Sequence, residues 1–535
     1  VRKLFAMLAI IALPLGANEV SVYSLQGGWL STSTPIHNHG IHGEGQILAV
    51  LDTGIDPDNC YFAEADGSMP PVNTRIEQNN VDLTRRKIVA VDFLWSCDAH
   101  PGATGCDDPA NPAAWDNQGH GTHAAAAIAA DKGTPIVHDF EDALATGAKL
   151  IIQDAGYIGG DLCSQRPGIG CPVTLTPILD QAYRQGARIH SNSWGDRQGA
   201  PENGVTPTGN YSQSARDVDA FVYAHPDMLV VFNTGNFGGT SGLPPASSLS
   251  APGCAKNTLQ VGGTRGYSGG SDDTIASYTL IGPTRDGRIK PDLVGPADVI
   301  AADSDLNAMT HNCNYSDQAG TSWASPTVAS AAALVRQYYT DGFYPSGIAT
   351  SADRIAPSAA LLKATLIASA RQVPWRATPN SLVAASPVPS PEQGWGFPVL
   401  DDALYFPGDA AKLQVVDNLL GLANGQTSTL KLDVRAGTPL KAVLVWTDPP
   451  GIVRSTNDPT PELVNDLDLR VNGAPVVADH LNNVEVVSVA SPSSATYTIS
   501  VTASRIAQGP RQSYALVVTG DFAPVSLKRV HTARR

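Results

Sequence analysis

The chain has 535 residues, 50 acidic against 35 basic, for a net charge of -15. That balance excludes a nucleic-acid partner, which is held by neutralising phosphates with lysine and arginine. With 42% hydrophobic and 16% charged residues the chain is neither disordered nor fibrous, and its length exceeds what one core supports, so at least two domains are expected.

The first stretch, "VRKLFAMLAIIALPLGANE", places Arg2 and Lys3 ahead of an apolar run from Leu4 to Leu15, followed by Gly16 and Ala17. This is the build of a secretory signal peptide over residues 1-17. A buried strand or helix is the alternative, but it leaves the positive start without a reason. The run is shorter than the roughly 20 apolar residues needed to cross a bilayer, and no later segment qualifies, so no membrane span is expected.

Seven cysteines fit an exported chain. Cys97 and Cys106 bracket "CDAHPGATGC", and Cys163 and Cys171 bracket "CSQRPGIGC". Both loops carry Pro and Gly that let the chain turn back, which makes each pair a disulfide candidate. Cys254 with Cys313 is a further pairing that leaves Cys60 over; spacing alone does not fix connectivity. No doubled C-x-x-C spacing of a structural zinc site occurs.

From Gly43 to about Tyr339, short apolar runs alternate with helical patterns. Strands are predicted at Ile47 to Leu51, Leu150 to Gln153, Ala187 to Ser191, Met228 to Phe232 and Leu259 to Val261. Between them, "TPILDQAYRQGA" and "YSQSARDVDAFVYAHP" space apolar residues at three and four, and Gly186 stops the first helix. Fully buried strands with helical crossovers predict a doubly wound, parallel α/β sheet, whose ligands bind beyond the strands' carboxyl ends. "QAGTSWASPTVASAAALVRQYY" reads as a long helix, its start pinned by Pro326.

The Pro- and Ser-rich stretch 377-394 reads as an exposed loop. Beyond about Pro407, "STLKLDVRAG", "LKAVLVWTD", "LDLRVNG", "VEVVSVAS", "ATYTISVTA" and "SYALVVTGDF" alternate with period two and predict a β-sandwich or jelly roll. The expected units are therefore a catalytic-type α/β domain over 18-406, a β-sandwich over 407-525 and a solvated basic tail over 526-535. No internal repeat was found that would make it a solenoid.

Three residues fall where such a sheet places chemistry. Asp52 in "LAVLDTGID" ends the first strand, His120 in "DNQGHGTHAAAAIAADK" opens an alanine-rich helix, and Ser322 opens the long one. A serine hydroxyl needs a base to become a nucleophile, an imidazole is suited to that task, and an ionised aspartate holds the imidazole in one tautomer. Asn236 in "VVFNTGNFG" follows a buried strand and can donate to an oxyanion together with the Ser322 N-H. Each has an ordinary reading: Asp52 as a turn residue, His120 as a helix-start histidine, Ser322 as an N-cap, Asn236 as a left-handed turn residue. His120 and His123 lack the glutamate of a zinc-peptidase helix. Four signals in one order, each at a strand end or helix start, decide for chemistry.

"VLDTGID", "GHGTHAAAAIAA" and "AGTSWASP" resemble the three catalytic blocks of the subtilisin-like serine peptidases, the subtilases. "GARIHSNSWG", "TGNFG", "SAPGCAKNTLQVGGT" and "GPTRDGRIKPDLV" extend the resemblance, and "LKAVLVWTDPPG" with "LVNDLDLRVNG" is similar to the secreted branch with a C-terminal β-jelly roll.

The resemblance implies Asp52 as orienting acid, His120 as general base and acid, Ser322 as nucleophile and Asn236 as oxyanion donor. It implies Ser193, Trp194 and Gly195 as an edge pairing with substrate backbone, which suits a broad endopeptidase, and leaves His123 structural. Leu280 and Ile281 depart from the family's usual Ser-Arg, which bears on activity level more than on reaction type. Subtilases usually carry a folding propeptide, whereas Asp52 lies 35 residues past Ala17.

Asp466 and Asp468 in "LVNDLDL" offer oxygen ligands for structural calcium, or form a solvated turn; no catalytic metal is needed. The expectation is a secreted, monomeric serine endopeptidase acting on proteins and peptides. An inactive binding-only homologue is the first rival, against which the intact four-residue set counts. A transpeptidase or cyclase using the same acyl-enzyme is the second.

Overall fold

The computed structural model describes residues 17-94, 109-111, 115-116, 118-133, 141-156, 175-195, 209-237, 243-266, 271-454, 458-475 and 479-523. Residues 1-16, the loops holding Cys97, Cys106, Cys163 and Cys171, and the basic tail lie outside these.

Parallel strands form the centre of the main sheet, in the order Leu259–Thr264, Leu229–Asn233, Ile189–Asn192, Ile47–Asp52, Lys149–Asp154, Ile88–Phe93 and Val72–Asn73. All five predicted strands are present, and Ile88–Phe93 is an additional one, fully buried. The chain winds one way from Ile47–Asp52 and then the other, so both neighbours of this strand belong to different halves of the winding. A crevice at its carboxyl end follows from that topology. Alternate residues feed two cores: Leu48 and Val50 face one, Ala49 and Leu51 the other.

Helices cover both faces. On one side lie α2 (His120–Ala129) and the long α5 (Thr321–Thr340), joined there by α1 (Ala17–Gly27) and α6 (Ala359–Ala368); on the other lie α3 (Leu175–Arg184) and α4 (Gln213–Ala224). α5 is apolar or small nearly all round, and it is buried along its length except at Arg336 and Thr340. α1 seats Val22 and Leu25 in the core, and Ser24 donates to Asp272 Oδ2 at 2.6 Å. The Pro/Ser-rich stretch, expected as a loop, carries the edge strand Leu382–Ala384, whose three residues are exposed.

Among the described residues, seven antiparallel strands follow in two sheets. One holds Lys412–Leu422, Gln512–Gly520, Leu440–Val445 and Val484–Val489; the other holds Thr427–Val434, Ala495–Ile506 and Asn465–Val471. Lys412–Leu422 escaped the sequence reading because residues Asp417 to Leu420 break its alternation. The first sheet packs on α6, and Val415, Val443 and Val517 join the core of the α/β part.

A polar cluster ties the two parts at this seam. Lys256, fully buried, donates from Nζ to Asp448 Oδ2 at 2.5 Å, Pro449 O at 2.6 Å and Glu462 O at 2.8 Å. Asn257 exchanges two hydrogen bonds with the Asp448 backbone, at 2.8 and 2.9 Å. Among the described residues a disulfide joins Cys60 to Cys313. This corrects the pairing of Cys254 with Cys313: Cys254 keeps its thiol, buried, and donates towards Ser250 O at 3.4 Å. Sequence spacing held no sign of it, because 253 residues separate the bonded pair.

Removing Asp448 strands the Lys256 ammonium away from water. Asp448→Ala is expected to cost about 3-5 kcal/mol, the usual penalty for leaving one buried charge unpaired. Urea unfolding followed by tryptophan fluorescence measures it, and a loss below about 1 kcal/mol, as for an exposed pair, would contradict this account of the seam.

Candidate active site

Asp52 ends its strand 1% exposed. Its Oδ1 accepts from Thr53 N at 2.8 Å and lies 2.7 Å from His120 Nδ1. Backbone contact brings the aspartate's loop to the histidine's helix. Gly54 has φ +115°, and a Cβ there would lie 1.9 Å from Trp115 O; a Cβ on Gly121 would lie 2.2 Å from Gly54 O. Only glycine permits either approach.

A second carboxylate, Asp116, fixes this contact. It accepts from Thr53 Oγ1 at 3.0 Å, Gly119 N at 2.9 Å, Thr122 N at 2.9 Å and Thr122 Oγ1 at 2.6 Å, while Thr53 Oγ1 accepts from Gly121 N at 2.8 Å. Burial pushes its carboxyl up to about 6, against the Thr122 and Thr53 hydrogen bonds, and the nearby Asp52 charge adds to the rise. Sequence reasoning passed over Asp116, although an acid four residues ahead of the Gly-flanked histidine was its signal.

His120 opens α2 with a third of its side chain exposed (33%). Burial alone would lower its imidazole, but the Asp52 charge and hydrogen bond, with Asp116 behind them, outweigh this and hold it above its ordinary value. The ring lies 4.7 Å from that of Trp323. His123, one turn on and fully buried, is pushed down to about 3 by desolvation and by the neighbouring His120 charge, and its ring sits 4.3 Å from Trp323. It is a neutral packing group.

Ser322 is the second residue of α5, 8% exposed, and its hydroxyl donates to Ser193 O at 3.2 Å. No His120–Ser322 hydrogen bond forms among the described residues, so engaging the imidazole requires the hydroxyl to leave that carbonyl. Pro326 stands in the second turn, deeper than the sequence suggests. It has no N-H to give to the carbonyl four residues back, which is that of Ser322. Ser193 Oγ supplies the missing bond, donating to Ser322 O at 2.6 Å. Ser325 strengthens the clamp through Ser193 Oγ at 3.1 Å and Asn192 O at 3.3 Å.

Asn236 is exposed, and its Oδ1 accepts from Thr321 N and Thr321 Oγ1, both at 2.9 Å. That fixes the amide so that Nδ2 faces Gly320, at 3.5 Å from where a Cβ would stand. Trp194 packs edge-on against Phe232 at 5.5 Å, and Gly195 lies so close to Ser250 that a Cβ would stand 2.6 Å from its Oγ. Beneath them His190, buried and pushed down to about 3 by desolvation, binds Gln153 Oε1 at 2.8 Å and Asn192 Nδ2 at 3.0 Å.

Asp466 and Asp468 stand apart, in the sandwich. Together with His480 they place ligand atoms within 4.8 Å of one another, a grouping able to hold a metal ion. His480 Nδ1 lies 2.8 Å from Asp466 Oδ2, and Ser504 donates to Asp468. Sequence reasoning missed His480, twelve residues further on.

The model of the subtilase family matches residues 43-396, and the chain belongs to that family. The serine protease/ABC transporter B family protein tagA of Dictyostelium discoideum is 26% identical over 97% of this chain and 33% of its own length, and subtilisin Savinase of Lederbergia lenta is 24% identical over 56% of this chain and 80% of its own. The chain spans no more than 33% of the length of the three Dictyostelium relatives it matches. Among solved structures, the prenylagaramide maturation protease PagA covers 69% of this chain and 95% of its own, at 15% identity and a TM-score of 0.41.

The backbone contact at Gly54 gives a direct test. Gly54→Ala combines a positive φ with a Cβ inside van der Waals contact of a carbonyl, and is expected to cost more than about 2 kcal/mol. Gly425→Ala, at φ +76° with nothing within 4 Å, is the strain-only control. Equal losses in thermal unfolding would remove the steric argument.

Proposed function

We propose that this chain is a secreted endopeptidase that cleaves proteins through an acyl-enzyme on Ser322, with His120 as base and acid, Asp52 as its orienting group and Asn236 as oxyanion donor. The observation that carries the reading is the 2.7 Å contact of His120 Nδ1 with the buried Asp52 Oδ1. It leaves Nε2 as the working nitrogen and stabilises the imidazolium that forms when the Ser322 proton is taken. The Ser322 hydroxyl attacks the scissile carbonyl, its proton passes to Nε2, and His120 returns that proton to the leaving amine. Water then attacks the ester by the same steps in reverse order. Negative charge on the tetrahedral oxygen meets the Ser322 N-H, unpaired at the start of α5, and the Asn236 amide held by Thr321.

The substrate backbone pairs along Ser193 to Gly195 in this reading, which makes recognition largely independent of side chains. Export is supported by the leader pattern of residues 1-17 and by the Cys60–Cys313 disulfide. The catalytic unit takes residues 18-406 and the sandwich 407-525. Asp466 and Asp468, with His480, form a structural calcium site in the sandwich.

Ser322→Ala is expected to abolish both fluorophosphonate labelling and casein hydrolysis; retained labelling would remove Ser322 as nucleophile. Asn236→Ala should lower kcat roughly 100- to 1,000-fold with little change in KM, the range known for one such donor in a subtilisin, whereas a dominant rise in KM would make Asn236 a substrate-binding group. The base must be neutral to act, so kcat/KM should climb with pH through an apparent pKa above the ordinary imidazole value of about 6.5. Replacing Asp52 by Asn should move that limb to lower pH.

A further inference from the structure

Trp323 follows the proposed nucleophile directly and has no part in the hydrolysis set out above. It is almost fully buried, and its ring centroid lies 4.7 Å from that of His120 with the two planes 38° apart. The imidazole thus lies against the indole's π surface, well inside the roughly 6 Å over which such a surface attracts a cation. Trp323 Nε1 is buried without a hydrogen-bond partner among the described residues, a penalty that phenylalanine or leucine at this place would not carry. On its other side the ring of His123 packs at 4.3 Å, and because His123 stays neutral it does not compete for the π surface. The surroundings otherwise disfavour positive charge on His120. It is the first residue of α2 and lies against the third residue of α5, so its ring stands at two helix starts whose unpaired N-H groups repel a cation. Against this, Asp52 meets the ring at Nδ1 and Asp116 acts from behind it. Asp303 comes no nearer than the preceding turn, its Oδ1 3.2 Å from where a Cβ on Gly119 would stand. α5 has no charged side chain before Arg336, so what it presents to the ring is the electron-rich indole.

We propose that Trp323 is a positioning residue of the hydrolysis, which holds the imidazolium of His120 against its π surface by a cation–π attraction. The proposal rests on the reading of His120 as general base. In that reading the ring is neutral until the Ser322 proton reaches Nε2 and charged from then until the proton passes to the leaving amine. The attraction therefore acts on the transition state far more than on the resting enzyme, which is the condition for it to raise kcat. Asp52 steadies the ring at its edge and Trp323 at its face, so two supports at different angles fix the direction in which Nε2 points.

One arm of the test needs no catalysis. In the full chain carrying Ser322→Ala and isotope-labelled at histidine Cε1, the His120 resonance, identified by its loss in His120→Gln, is followed by NMR against pH. Trp323→Leu added to that parent is expected to lower the His120 pKa by roughly 0.5 to 1 unit, the size of one cation–π contact, and Trp323→Phe by about half as much. An unchanged or raised pKa in Trp323→Leu overturns the proposal. So does a fall in Trp323→Phe as large as in Trp323→Leu, which would place the effect in the indole N-H instead of the π surface. If Trp323→Leu does not fold, Trp323→Phe decides alone, and an unchanged or raised pKa there overturns the proposal. With Ser322 restored, Trp323→Leu should lower kcat roughly 2- to 10-fold with little change in KM and move the rising limb of kcat/KM to lower pH, and Trp323→Phe should recover most of the loss. A chain that shows the NMR shift yet hydrolyses no casein overturns the reading of the reaction, and with it the use of the contact in catalysis, but not the contact.

Discussion

The carboxylate of Asp116 is shut away from water and filled with hydrogen-bond donors from both loops that carry the catalytic candidates. Thr53 reaches it from the loop of Asp52, and Gly119 and Thr122 reach it from the turn and helix of His120. A buried carboxylate tolerates ionisation only when its lone pairs are met, so the two loops can deviate little from one mutual position. The 2.7 Å approach of His120 to Asp52 follows from that constraint rather than from attraction between the two alone. Gly54 and Gly121 are the steric condition for it, since a single methyl at either place would separate the loops.

The nucleophile is positioned by a comparable exchange. Pro326 leaves one carbonyl of α5 without its helical partner, and that carbonyl belongs to Ser322 itself. Ser193, just past the end of a central strand, fills the vacancy with its hydroxyl and offers its own carbonyl to the Ser322 hydroxyl. The helix start is thereby registered against the sheet. The side chain that registers it belongs to the segment proposed to bind substrate, so substrate and nucleophile share one support.

Much of this was legible in the sequence. Strand ends, helix starts and the order of Asp52, His120 and Ser322 come from local periodicity and turn residues, and each of those signals is short-range. Asp116, the partnership of Ser193 with Pro326 and the Lys256–Asp448 pair were not legible, because each joins residues that the chain separates and nothing in either residue's own neighbourhood names its partner. The pairing of Cys254 with Cys313 failed for the same reason: nothing near Cys313 in the chain names Cys60, 253 residues away, as its partner. Lys412–Leu422 was lost differently, to a bulged strand whose polar interruption hides the period-two pattern.

The seam at Lys256 bears on how the two parts can change over generations. The Lys256 ammonium is enclosed by Asp448 and two carbonyls of the other part, so while both parts stay docked neither charge can be changed alone without burying its partner unpaired. Each single substitution is uphill, whereas an exchange of both residues for apolar ones of similar volume is not, so the two positions are expected to change as a pair.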